Sequence, residues 1–205
     1  SGGTIPAPRL SPRATAAPAA TLAPVRATTQ DARRLRSRST PDPAEIDLIH
    51  YHGTPIGGSR QDVARFLAGR HALVPFPRQD DVGVVGEVCK SFVFDNGAFS
   101  VWKRGGKLDI RGYQAWVRDW CRHPGFQWAL IPDVIDGSEA SNRTMISNWQ
   151  DCGLSSFGAP VWHMHESLEW LERLANNWPI VALGSSGQWA TPGTAAWWAR
   201  MNEAM

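Results

Sequence analysis

From about Glu45 onward, short apolar runs alternate with longer segments whose apolar residues recur every three to four positions. The first pattern predicts buried strands bounded by turns, and the second predicts helices with one inward face. Ile46–His52 predicts a strand, 53–58 a turn, and Ser59–Ala68 a helix capped by Ser59, with Val63, Phe66 and Leu67 inward. Ala72–Phe76 predicts a second strand, whereas Asp80–Lys90 predicts an irregular connection. Ser91–Asp95 predicts a third strand, and Asp109–Cys121 a helix that gathers Tyr113, Trp116, Val117, Trp120 and Cys121 on one face. Phe126–Ile131 gives a fourth strand. Ser138–Asp151 gives a helix with Met145, Ile146, Trp149 and Cys152 on one side and Gly153 as its stop. Pro160–Met164 and Ile180–Leu183 predict two further strands. Between them Ser167 caps a helix carrying Leu168, Leu171 and Leu174, and after them Thr191 and Pro192 open a last helix with Trp197, Trp198 and Met201.

This alternation predicts an α/β fold with a parallel sheet covered by helices. The expected architecture over residues 44–205 is a (β/α) barrel of TIM type with about six of its usual eight units, hence incomplete at its C-terminal side. An open doubly wound sheet is the competitor, although no Gly-rich phosphate loop follows the first strand.

The stretch SFVFDNGAFS, 91–100, leaves two readings open. Asn96-Gly97 between two apolar runs is a strong signal for a tight hairpin. Alternatively, the strand delivers Asp95 to its carboxyl end and the glycine turns the chain into the next element, as catalytic acids are presented in barrels.

Composition changes this picture in several respects. Residues 1–43 are rich in Pro, Ala, Thr and Arg, carry seven Arg against Asp31 and Asp42, and are expected to be a disordered tail. With a net charge of +2 for the whole chain, the body is left at −3, without an obvious basic face. Cys89, Cys121 and Cys152 are far apart and form no CxxC pair, so neither a zinc cluster nor a disulfide framework is indicated. A reducing, cytoplasmic setting is therefore expected. No apolar run is long enough to span a membrane. The 11 tryptophans are expected to serve mainly in packing, with a few left to stack on a planar ligand.

In a parallel sheet the carboxyl ends of the strands converge. That gathers His50 and His52, Asp95, Asp133 with Asp136, His163 with His165, and the loop Gly184, Ser185, Ser186, Gly187. Two carboxylates and a glycine loop suit a purine-like base, whose ring and exocyclic N–H groups donate to carboxylates and whose carbonyl accepts from backbone amides. A buried carboxylate at this mouth could act as a general base or as a nucleophile at a sugar carbon. The HxH pairs could instead be metal ligands with Asp95, giving a metal-dependent hydrolase, or be structural. Asp136 and Ser138 are candidate helix caps, and no GxSxG elbow supports a serine nucleophile.

DNGAFS at 95–100 resembles the strand-end motif DSGGFQ of tRNA-guanine transglycosylases, which exchange guanine for a 7-deazaguanine base. IPDVID, with Asp133, is similar to the segment carrying that family's second base-reading aspartate. VWHMHES falls where the family has a polar base contact, and ALGSSGQ resembles its Gly-rich loop. The likeness covers roughly 46–200 and points to the short phage and bacterial relatives that modify DNA. It implies catalytic roles for Asp95 and Asp133, and base contacts from Asn96, Gly97, Phe99, His163, His165, Gly184, Ser185, Ser186 and Gly187. It also implies no cofactor, no metal, and a nucleic-acid partner, with DNA preferred to tRNA. Asn96 stands for the family's serine and Ala98 for its second glycine, its zinc motif is absent, and its nucleophilic aspartate is expected beyond Met205. A non-catalytic barrel remnant that binds a nucleobase is the remaining alternative.

Overall fold

The computed structural model describes residues 48–55 and 59–205, so the Arg-rich stretch 1–43, Ile46 and residues 56–58 of the expected 53–58 turn lie outside the described residues. The elements are β1 (Tyr51–Gly53), α1 (Arg60–Leu67), β2 (His71–Pro75), a 3-10 segment (Phe76–Asp81), α2 (Val82–Val88), β3 (Ser91–Asp95), α3 (Ala98–Lys103) and α4 (Ile110–Trp120). Then follow β4 (Phe126–Leu130), α5 (Glu139–Asp151), β5 (Gly158–Ala159), β6 (Val161–His163), α6 (Leu168–Asn177), β7 (Ala182–Gly184) and α7 (Ala195–Ala204).

Among the described residues all strand pairings are parallel. Five strands form one sheet in the order β1-β2-β3-β4-β5, and β6 pairs with β7 in a second. The break falls at Pro160, which has no N–H to give a ladder. The chain nonetheless runs on through it, for Ile131 N bonds Ala159 O at 2.9 Å and Ala182 N bonds Pro160 O at 2.9 Å. Each strand thus lies beside the next in sequence, and among the described residues the order does not reverse as a doubly wound sheet requires.

β3 sits at the centre of the five-stranded sheet, flanked by β2 and β4. Phe92, Val93 and Phe94 are completely buried, each contributing about 2 kcal/mol by leaving water. Trp116 of α4 stacks on Phe94 with ring centroids 3.7 Å apart. This parallel pairing excludes the hairpin at Asn96-Gly97. Gly97 instead takes φ +76° and starts α3, and a Cβ there would lie 2.6 Å from Pro77 Cδ.

Side-chain caps set several helix starts. Ser59, Ser138 and Ser167 each accept from the backbone N–H three residues on, so Ser138 rather than Asp136 caps α5. Three expectations need correction. Asp80–Lys90 is not irregular but holds α2, whose Val82 and Val85 point into the core. Phe66 is 42% exposed and not inward. The last helix begins at Ala195 with Thr194 as its cap, not at Thr191. Among the described residues, no helix is long and apolar enough to cross a membrane.

Candidate functional site

The carboxyl end of β3 carries two side chains with different tasks. Asp95 Oδ1 accepts from Gly97 N at 3.1 Å, which fixes the turn into α3, while among the described residues Oδ2 has no hydrogen-bond partner. Burial pushes the Asp95 carboxyl above its ordinary range, opposed by the Gly97 bond and reinforced by the nearby charge of Asp133. Asn96 turns the other way into the interior, 1% exposed. Its Nδ2 donates to Ile131 O and to Asp133 Oδ1, both at 2.9 Å, and its Oδ1 accepts from Ala98 N at 2.7 Å. Asn96, standing where DSGGFQ has its serine, therefore ties the ends of β3 and β4 together.

Asp133, three residues past β4, is held on both oxygens. Oδ1 takes the Asn96 bond, and Oδ2 lies 2.9 Å from His163 Nε2. Behind His163 is a buried polar group that sequence reasoning missed. Asn142 Nδ2 donates to Glu166 Oε1 at 2.9 Å and lies 3.2 Å from His163 Nδ1; its Oδ1 accepts from Val134 N at 2.8 Å. Glu166 Oε2 accepts from His163 N at 2.9 Å. Burial alone would strip the His163 ring of its proton. The bonds to Asp133 and Glu166 outweigh it and hold the ring at about 9, so it is cationic at neutral pH. Burial correspondingly works to raise the Glu166 carboxyl, but its bonds to His163 and Asn142 win and hold it below the usual range. Glu166 carried no sequence signal beyond being polar on the segment that holds His163 and His165, and Asn142 none beyond being polar on the helix after Asp133.

Asp95, Asn96, Asp133, His163, Gly184 and Ser185 line one cavity of about 280 Å3. Its apolar walls include Phe99, Leu130, Ile135, Val161 and Leu183. That volume lies just below the roughly 300 Å3 at which ligand pockets usually begin, and suits a single planar heterocycle. Ser185 Oγ accepts from Trp197 Nε1 at 2.8 Å, leaving its own O–H to donate.

The remaining expected contacts lie elsewhere. Gly97 serves the turn, and Gly187 takes φ +55° to open a 3-10 turn. His165 Nδ1 lies 2.7 Å from Ser186 Oγ and its Nε2 lies 3.0 Å from Gly137 O, so these residues latch the 184–187 loop to the β4–α5 connection. The aromatic residue against the cavity is Phe99, not a tryptophan. Neither His50 nor His52 lines it; their rings pair with each other at 4.3 Å. Among the described residues no three His, Cys, Asp or Glu side chains are grouped to hold a metal ion.

Chemically, the cavity offers one raised carboxyl with an open oxygen, a second carboxylate neutralised by a buried imidazolium, and a glycine–serine corner across from them. Compared with protein-family models, curated proteins and solved structures, the chain matches none, so its function is argued from this arrangement.

Proposed function

We propose that this protein is a base-exchanging glycosyltransferase of the transglycosylase type, replacing guanine in DNA, in preference to tRNA, with a 7-deazaguanine base. The observation that carries this reading is the meeting of Asp95, Asp133 and the Gly184–Ser185 corner around one cavity of heterocycle size. The sequential, unreversed order of parallel strands supports an arc of a (β/α) barrel as the frame, with the cavity at the carboxyl ends of its strands.

The target guanine would leave the base stack and enter the cavity, because its glycosidic carbon is out of reach inside a duplex. Asp95 Oδ2 and the outer lone pairs of Asp133 accept from the ring and exocyclic N–H groups. Ser185 and the backbone at Gly184 face the carbonyl, and Phe99 covers the ring. Exchange breaks one bond between the sugar carbon and a base nitrogen and forms its equivalent, so the incoming base loses a proton and the departing guanine gains one. Asp95, with its carboxyl raised above its ordinary range by burial, is suited to carry that proton between them. Asp133 and His163 form a neutral pair that orients the base without being consumed.

The experiment mixes the protein with DNA and radiolabelled guanine, then follows label in acid-insoluble DNA. Incorporation that disappears in Asp95→Asn supports the proposal. Binding of the base without incorporation would leave a nucleobase-binding protein, and retention of incorporation in Asp95→Asn would remove Asp95 from the chemistry.

A further inference from the structure

Adjoining the base cavity is a second one, of about 240 Å3, which shares Asp133 and Ile135 with it. It is otherwise mostly apolar, walled by Val101 and Trp102 of α3, by Leu108 and Ile110, and by Met145 of α5, with Lys107 at its edge. Trp102 is 46% exposed and its ring lies 5.7 Å from that of Phe99, itself 59% exposed. The two rings form a solvent-facing aromatic pair that spans both cavities, Phe99 lining the first and Trp102 the second. Immediately after them come Lys103, Arg104 and Lys107, all exposed. Among the described residues none of the three forms an ion pair with a carboxylate. The nearest acid in sequence, Asp109, is engaged in capping α4 through Gly112 N. On a body of net −3, positive charge is therefore concentrated on the segment 103–107, whose Lys107 lines the second cavity.

We propose that the second cavity is the subsite for the nucleotide next to the target base, in a single-stranded or locally opened stretch of nucleic acid. Its base lies against Trp102 and its phosphate on Lys107. The assignment rests on reading the first cavity as a base site. The chemistry follows from what such a nucleotide presents, a flat π-face that stacks on an aromatic ring whatever its identity and an anionic linker that a lysine neutralises. Two adjacent cavities of similar volume that share a wall match two successive bases better than one small ligand. An apolar side chain of a protein partner would fill the second cavity but gives the basic loop nothing to neutralise.

The test measures binding of fluorescently labelled single-stranded oligonucleotides with a central guanine by anisotropy, at several salt concentrations, with Trp102→Ala and Lys107→Ala. Dialysis with free guanine is run on the same proteins. Trp102→Ala is expected to weaken the oligonucleotide by about tenfold or more. Lys107→Ala is expected to reduce the salt dependence of log K by about 0.7. Free guanine should bind all three proteins alike. Lys107 is an exposed side chain, so its variant keeps the test decisive if Trp102→Ala disturbs α3. Oligonucleotide binding that is absent in the wild type, or unaffected by both substitutions, overturns the subsite. Absence of guanine binding in all three proteins, with oligonucleotide binding still sensitive to both substitutions, would overturn the base reading of the first cavity and with it the placing of the second next to a target base, leaving only a single-strand contact at Trp102 and Lys107.

Discussion

The two carboxylates of the cavity differ in what already holds them. Asp95 has one oxygen bound by Gly97 and one open, whereas Asp133 is bound on both sides by Asn96 and His163. Sequence patterning placed both acids at strand ends but could not rank them, because the ranking comes from Asn96, His163, Asn142 and Glu166, which meet only in the fold. The His163 ring has two settings. With the proton on Nε2 alone it donates to Asp133 and accepts from Asn142; when charged, its Nδ1–H turns toward Glu166 Oε2, 3.8 Å away. The folded protein raises the ring from 6.5 to about 9. This contribution to stability is therefore complete below pH 6.5 and is lost as pH climbs through 9. Urea unfolding is expected to show a decline of up to about 3 kcal/mol across that window. His163→Gln should flatten the decline, and a wild-type curve already flat there would contradict the charged ring. Asn96 offers a second check. Asn96→Ala leaves Asp133 Oδ1, Ile131 O and Ala98 N without their buried partner and should cost about 1–3 kcal/mol. Asn96→Asp should cost more than Asn96→Ala, because it faces the Asp133 carboxylate and the Ile131 carbonyl with a second acceptor in place of a donor. An equal or smaller loss in urea unfolding would contradict that arrangement.

Capped and periodic elements were the easiest to read. α1, α5 and α6 begin where Ser59, Ser138 and Ser167 said they would, and β3 ends at Asp95 as expected. α2 was hidden because its sequence, VGVVGEV, combines β-branched residues and glycines of low helix propensity; packing of Val82 and Val85 outweighs that preference. The tight-turn signal of Asn96-Gly97 misled for the opposite reason, since a left-handed glycine serves a helix start as well as a hairpin. α7 owes its position to Arg200, a residue with no visible motif. Its Nε donates to Met164 O at 2.9 Å and its Nη2 to Glu166 O at 2.7 Å, while the guanidinium lies over Trp162 and Trp189. The last helix thus clamps the turn from which Glu166 reaches His163. Arg200→Ala is expected to speed amide hydrogen exchange in both α7 and residues 163–166 by at least tenfold, in line with the loss of two charged hydrogen bonds. Faster exchange in α7 alone would show that the helix does not support the site. Arg200→Lys should not restore protection, because an ammonium lacks the flat fork that reaches both carbonyls.

Taken together, residues 48–205 present their chemistry on one rim. Parallel strands in sequential order deliver Asp95, Asp133, His163 and Gly184 to the same ends, which is why the strand-end positions are legible in the sequence. What the sequence could not supply was the cavity itself. Its volume, its apolar walls and its second chamber depend on how α3, the 103–109 loop and the β4–α5 connection fold over the rim. The same dependence explains why His165, Ser186 and Gly187, read as base contacts, lie outside the cavity lining, where His165 and Ser186 bond each other and Gly187 opens a 3-10 turn. The account's central claim is that this rim holds a purine between Asp95, Asp133 and the Gly184–Ser185 corner. Equilibrium dialysis with radiolabelled guanine tests it most directly. The account predicts one guanine bound per chain, with binding greatly weakened in Asp95→Asn and unaltered by substitution of the distant, exposed Glu172. Failure of the folded wild-type protein to retain guanine, or retention equal in Asp95→Asn, would contradict it.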